Sequence, residues 1–454
     1  MKKITAIYFA LFSMLFVTVS CGSSDDENYE LSPYAMIKSF KLGNIKSEYP
    51  SFTADGKDTT VVRTVSFDNV AFTIDQLAGE VYNNDSLPYA TDVSKVVAYM
   101  GVSGVASIYV DSTETYEHFS SADSIDFTSP RKMRIYSADA SYYKDYTVSI
   151  NVHQVDPEMM VWQKYPAAEG VGPVRALERD GVMCLFGTKA DGTVAMATTQ
   201  ISGVPSWNVS DVTGLPATAL ATIQLFGGNF YAVADGNVYS SSDAVQWSVV
   251  ATGTGAVAIV GVSDEEQKLW IAGDQGLLCS TDGLSFTPAG ALPEGFPLYG
   301  VSIASYPLSH NKGIIRYMLV GYADEANEGD ATVWSRLSTE ERWTCYNNVG
   351  NAFPCPSLAG LSVVRYDNFL YAFGGAGKVN GVESDAFSSF YVSKDNGIVW
   401  RPLSDPYQHL PEELLGDNSQ FAVAVDARNH IWIINSGENG GVWRGILNRL
   451  GFEK

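Results

Sequence analysis

Two interleaved repeats beyond Met159 constrain this chain more than any other feature. One is an apolar run that tends to end in Gly or Asp: Cys184-Leu-Phe-Gly, Phe230-Tyr-Ala-Val-Ala-Asp, Leu269-Trp-Ile-Ala-Gly-Asp, Tyr317-Met-Leu-Val-Gly, Leu370-Tyr-Ala-Phe-Gly-Gly and Ile431-Trp-Ile-Ile-Asn. The starts of these runs lie 46, 39, 48, 53 and 61 residues apart. The other is an aromatic that opens a short strand, at Trp162, Trp207, Trp247, Phe286, Trp343 and Trp400, spaced 45, 40, 39, 57 and 57. Short strands at such a period fit radially repeated four-stranded sheets, which leave only short edges. The phase is informative too. Trp162 precedes the first apolar run, and no aromatic strand follows Ile431-Trp-Ile before the chain ends. Pairing Met160–Tyr165 beside Gly441–Ile446 supplies the strand that the last sheet lacks. The expectation is an all-β chain whose residues 156–454 form a six-bladed β-propeller closed by its N-terminal strand.

Turn chemistry agrees. Ser393-Lys-Asp395-Asn-Gly397-Ile-Val-Trp400 matches the Asp-box pattern S-x-D-x-G-x-x-W, and Ser280–Phe286 and Ser241–Trp247 are shorter variants. Asp and Ser oxygens accept backbone N–H groups of the hairpin, Gly takes φ > 0, and the aromatic packs between sheets. These residues are therefore read as a folding device without a catalytic role. Leu370–Gly375 also has a Kelch-like look, which leaves the propeller subfamily open.

Upstream, Ala35–Leu42, Val61–Phe67, Val70–Ile74, Val96–Tyr99, Ser107–Val110, Arg131–Tyr136 and Tyr146–Val152 alternate in short runs separated by turn residues. Such strands, with no long helical period, suit an Ig-like β-sandwich over 31–155. Asp156-Pro157 marks its end.

The N-terminus reads as an export address. Met1-Lys-Lys precedes an apolar run from Ile4 to Val19, followed by Ser20-Cys21. A charged start, a short apolar stretch and a small residue before the cut describe a signal peptide over 1–20. Thr18-Val-Ser-Cys21 resembles a bacterial lipobox, although Thr18 stands where Leu is usual. That resemblance implies a lipid on Cys21. Residues 21–30 form an acidic tether, and Gly22-Ser-Ser-Asp-Asp-Glu-Asn28 looks like the export signal that places Bacteroidetes lipoproteins on the cell surface. The arrangement of lipobox, Ig-like domain and Kelch- or Asp-box-like propeller resembles an uncharacterised family of Bacteroidetes surface lipoproteins. The resemblance implies an outer-membrane, lipid-anchored protein exposed at the cell surface, and it brings no established activity.

Several functions are disfavoured. The net charge is −22 and no basic run exceeds two residues, so no nucleic-acid partner is expected. No Cys-x-x-Cys or His pair stands at ligand spacing, so neither a metal nor another cofactor is expected. Asp324–Asp330 is rich in acids but lacks EF-hand spacing and reads as a plain acidic loop. Cys345 and Cys355 flank a Pro-containing loop, and an exported protein permits a disulfide there; the sequence leaves it open. Asp boxes raise the alternative of a sialidase-like glycoside hydrolase or lyase. The family's Arg-Ile-Pro motif is absent from the propeller, and nothing selects an arginine triad among its ten arginines from Arg175 to Arg449.

Loop lengths point to a binding role instead. The fourth and fifth repeats are lengthened at 323–330, 348–357, 376–388 and 404–418, which the propeller pattern maps to one face. These insertions hold Asn351, Phe353, Lys378, Asn380, Glu383, Asp385, Phe387, Tyr407, Gln408 and His409. Aromatic planes stack on sugar rings while amides and acids bond hydroxyls, and the same mixture serves a protein interface. The resulting expectation is a non-catalytic binding lipoprotein that captures a glycan or a protein. Its membrane contact would be the lipid anchor alone.

Overall fold

A computed structural model describes residues 31–451, apart from 53–57, 68–69, 326–329, 348–349, 405–406 and 437–439. Cys21 and the acidic tether lie outside the described residues. The chain divides into two compact units, with the boundary between Gln154 and Val155. No helix among the described residues is long and apolar enough to cross a membrane.

In the first unit a six-stranded sheet runs in the order Phe72–Asp75, Glu80–Asn83, Tyr143–Ser149, Arg131–Tyr136, Val105–Val110, Thr115–His118. All its pairings are antiparallel except that between Tyr143–Ser149 and Glu80–Asn83. A three-stranded sheet joins Ile37–Leu42, Val96–Val102 and Ser124–Ile125, and Ile45–Phe52 pairs with Asp58–Val65. Alternation decides which side chains turn inward: Met133 and Ile135, and Tyr146 and Val148, are buried while their neighbours are more exposed. They share one core with Ile37, Phe40, Val96 and Ala98 of the smaller sheet.

The second unit consists chiefly of six four-stranded antiparallel sheets. Their first strands are Gly172–Arg179, Gln224–Phe226, Ala256–Ser263, Tyr299–Pro307, Ser362–Tyr366 and Phe421–Val425. The second strands carry the apolar runs of the sequence, and Val182–Thr188, Asn229–Ala234 and Ile431–Asn435 are almost wholly buried. Sheets packed on both faces need such continuous hydrophobic strands. The expected pairing at the chain ends is present: Met160–Tyr165 runs antiparallel to Gly441–Leu447, with Trp162 opposite Gly445 and Tyr165 opposite Val442. Each first strand packs against the first strand of the next sheet, and Phe421–Val425 packs back on Gly172–Arg179.

The three Ser-x-Asp turns are built as their chemistry requires. Asp395 Oδ1 accepts Ser393 Oγ–H at 2.8 Å and the N–H groups of Ile398 and Val399 at 3.2 and 3.0 Å. Ser393 Oγ in turn accepts Gly397 N–H at 2.7 Å, with Gly397 at φ 95°. The indole of Trp400, fully buried, donates back to Gly397 O at 2.9 Å. Asp282 and Asp243 repeat the scheme, each accepting two backbone N–H groups and a serine hydroxyl. In each turn the aspartate Oδ1 and the serine hydroxyl are spent on the turn itself, as a folding device requires.

Candidate functional site

The ten residues expected in the loops do not form one surface. Two of them are inside. Phe387 is only 3% exposed, at φ 53°, and its ring meets Phe421 edge-on with centroids 4.8 Å apart. It fills the core between the fifth and sixth sheets, so it offers no stacking plane, contrary to the sequence expectation. Gln408 is buried as well and donates to Glu158 Oε2 at 3.4 Å.

The Tyr407–His409 segment is a strap on the strand that pairs the chain ends. Tyr407 O accepts Met160 N–H at 2.8 Å, and His409 O accepts the Trp162 indole at 2.7 Å. His409 is exposed, and its Nδ1 contacts Leu410 O at 2.9 Å. These residues have a structural task in addition to any recognition.

Asn351, Phe353, Lys378, Asn380 and Glu383 do come together. Gly377–Val379 and Val382–Ser384 form a hairpin that pairs with Ser357–Leu358, making an appended three-stranded sheet. Asn380 turns at φ 50° and donates to Ala352 O at 3.3 Å. Lys378 and Glu383, opposite each other in register, are exposed, with 3.8 Å between charges. Asp385 is exposed a short way beyond. Phe353 carries the Arg401 guanidinium 4.3 Å above its ring.

The expected single face needs correction here. Asn351 Nδ2 donates to Ile398 O at 2.8 Å, and Phe353 O accepts Trp400 N–H at 2.9 Å. Both partners belong to the Ser393–Trp400 turn, which joins the third and fourth strands of the fifth sheet and so stands at the other end of that sheet from the 376–388 insertion. The segment travels from the outer strand of one sheet to the first strand of the next, and its backbone is satisfied on that neighbour's outer turn. A cavity of about 300 Å³ opens there, lined by Tyr346, Asn347, Asn351, Pro354 and Ile398 among others.

A second cavity, of about 320 Å³, lies among the first strands of the second unit. Arg175, Glu178, Gln224, Ser302, Ser305 and Arg365 supply its polar lining, and Leu177, Ile303, Val364, Val423 and Val425 its apolar walls. Arg175 Nε donates to Ile223 O at 3.1 Å, and no carboxylate pairs with this guanidinium among the described residues. Burial alone lowers its pKa, to about 10, so it stays charged at neutral pH. Gln224 is 7% exposed, and its amide has no protein hydrogen bond among the described residues. Glu178 accepts Gly181 N–H at 2.6 Å, while Arg365 stacks 4.1 Å over Tyr306. Sequence reasoning missed this site because its side chains come from strands far apart in the chain. Only a half-buried, mixed pattern along Gly172–Arg179 hinted at it.

No group of three or more His, Cys, Asp or Glu among the described residues is placed to hold a metal ion; Asp324–Asp330 lies partly outside them.

Residues 156–454 match the model described as the DUF6242 beta propeller domain, and residues 40–150 match the DUF6242 N-terminal domain, a domain of unknown function. The chain belongs to the DUF6242 family. Its larger unit is thus a β-propeller domain. Among solved structures, a DUF4623 family protein from Bacteroides eggerthii is similar at 12% identity and a TM-score of 0.37, covering 91% of this chain and 98% of that one. A Trichoderma reesei protein of carbohydrate-active enzyme family AA12 is similar at 11% identity and a TM-score of 0.41, covering 65% and 100%. A mutant of AofleA from Arthrobotrys oligospora shares 12% identity at a TM-score of 0.38, covering 63% and 86%. No curated protein matches the chain.

Proposed function

We propose that this DUF6242 chain is a surface-anchored, non-catalytic binding lipoprotein that takes a glycan or protein at the fourth and fifth blades of a six-bladed propeller. On this reading the six sheets are the blades, and Met160–Tyr165 closes the ring. The first unit is an Ig-like spacer, and a lipid on Cys21 ties it to the outer membrane. One observation carries the binding reading: Asn351 and Pro354 border a cavity of about 300 Å³ with Tyr346, Asn347 and Asp330, and Asn380 ties the appended sheet to the same segment through Ala352 O. Loops held by a rigid scaffold are where propellers place recognition. Lys378, Asn380 and Glu383 offer donors and acceptors for hydroxyls, and Phe353 under Arg401 offers a supported ring edge.

A hydrolase is the weaker reading. Glycosidases commonly act through two carboxylates that flank the scissile bond. Among the described residues lining the larger cavity, Glu178 is the one carboxylate, and it is engaged by Gly181 N–H.

A glycan-array screen of the soluble chain from Asn28, beside a Phe353→Ala/Asn380→Ala/Glu383→Ala variant, tests the proposal. Saturable binding without turnover, lost in the variant, supports it. Product detected by mass spectrometry would overturn the non-catalytic reading. Binding that survives all three substitutions would remove the site from these blades. The anchor has its own test: metabolic fatty-acid labelling that disappears in Cys21→Ala.

A further inference from the structure

We infer that the cavity among the first strands is a second binding site, built for a small organic carboxylate, with Arg175 and Gln224 as its recognition groups. The case rests on unspent hydrogen bonding. The Arg175 guanidinium uses Nε on Ile223 O and has no carboxylate partner, which leaves its terminal nitrogens to the cavity. Gln224, on the adjacent strand that follows Ile223, is more than nine-tenths buried and unpartnered, yet lines the same space. Polar groups drawn partly out of bulk water are ordinarily satisfied, and the half-buried Arg175 guanidinium has no counter-charge beside it among the described residues. A carboxylate answers both needs: it matches the planar guanidinium fork and accepts from an amide N–H.

The walls are mixed: Leu177, Ile303, Val364, Val423 and Val425, each packed on a neighbouring core, stand beside Ser302, Ser305 and Ser362, so both apolar and hydroxyl-bearing small acids fit the space. The volume, about 320 Å³, is enough for a small molecule. The chain carries a net charge of −22, so a cation without a carboxylate partner is not part of a generally basic surface. Nothing in this inference depends on the loop site, and either can fail alone.

Saturation-transfer NMR and calorimetry on the full mature chain, with benzoate, butyrate and inorganic phosphate as probes, decide it. Benzoate or butyrate is expected to bind. Arg175→Met is expected to weaken that binding at least about tenfold, as loss of a charge-assisted hydrogen bond does. Arg175→Lys, which keeps the charge and loses the fork, and Gln224→Leu are expected to weaken it less. Circular dichroism checks each variant's fold; if Arg175→Met does not fold, the Lys and Leu variants carry the test. The inference is overturned if neither carboxylate binds, if only phosphate binds, or if folded Arg175 and Gln224 variants bind like the parent.

Discussion

Trp162 lies across from Gly445 in the pairing of the chain ends, and its indole fills the space that a side chain at 445 would take. A β-carbon there would stand 2.6 Å from the ring atoms. Trp162 is also tied through its N–H to His409 O, so the ring cannot easily swing away. Gly445→Ala is therefore expected to destabilise the second unit by about 1–3 kcal/mol, the usual cost of overpacking. Urea unfolding checks it. In a Trp162→Ala background the same Gly445→Ala change is expected to cost almost nothing, and an undiminished cost there would show that the clash is not the cause.

The Ser-x-Asp turns make a sharper stability prediction than their exposed carboxylates suggest. Ser393 is 1% exposed and is the acceptor for Gly397 N–H. Ser393→Ala strands that buried donor and is expected to cost about 1–3 kcal/mol. Ser280→Ala, which strands Gly283 N–H in the same way, is expected to behave alike. Equilibrium unfolding of both variants is the measurement; ligand binding should be unchanged in Ser280→Ala, whereas Ser393→Ala also loosens the turn that lines the loop cavity.

How legible this architecture is depends on where a residue sits in a sheet. Second strands are packed on both faces, so Cys184, Phe230, Leu269, Tyr317, Leu370 and Ile431 stand in continuous apolar runs that announce themselves. First strands face a neighbour on one side and the cavity on the other. Arg175, Gln224 and Ser302 therefore look like ordinary interruptions, and their convergence comes only from folding. In the first unit Glu80–Asn83, Thr115–His118 and Ser124–Ile125 carry too little alternation in two to four residues to be read, and the longer Ile45–Phe52 is obscured by Lys46, Glu48 and Pro50. Phe353 and Phe387 read alike as loop aromatics. What separates them is Phe421, a partner from another sheet.

That difference is directly measurable. Phe387→Ala removes a core ring and is expected to cost about 3–5 kcal/mol. Phe353, 37% exposed, is expected to cost under about 1 kcal/mol on the same substitution. Differential scanning fluorimetry should show a large drop in Tm for the first and almost none for the second. Equal shifts would contradict the burial assigned to Phe387.

Acid should weaken the second unit through carboxylates that accept backbone hydrogen bonds. The N–H groups of Ser285 and Leu284, with Ser280 Oγ–H, hold the Asp282 carboxyl down to about 2, and those of Gln246 and Val245 lower Asp243. Burial raises Asp426, but hydrogen bonds from His430 and the Trp432 indole outweigh it and leave the carboxyl below its ordinary value. A depressed folded-state pKa stabilises above the unfolded value near about 4 and loses that contribution as pH falls through the folded one. Stability is thus expected to decline from about pH 4 toward about pH 2. Asp282→Asn, which cannot titrate, should flatten the decline while lowering stability at neutral pH. Urea midpoints across that range report both effects.

The cysteines close off the disulfide that the sequence left open. Cys345 and Cys355 are both free; Cys345 packs beside Trp343 and Leu277, whereas Cys355 is buried with Leu358 and Trp400 in a different cluster. Ten residues separate them in sequence, but the segment crosses from one sheet to the next and turns their side chains into different cores. Burial pushes the Cys355 thiol up, and it takes Cys184 up to about 11, which suppresses the reactive thiolate in both. The folded protein is therefore expected to react slowly with a thiol reagent at these positions and to release Cys184, Cys279, Cys345 and Cys355 together on denaturation. Non-reducing electrophoresis should match the reduced sample. A mobility difference abolished by Cys345→Ser would mean that the two sulfurs meet, and the loop between them would then have to lie elsewhere than against the Ser393–Trp400 turn.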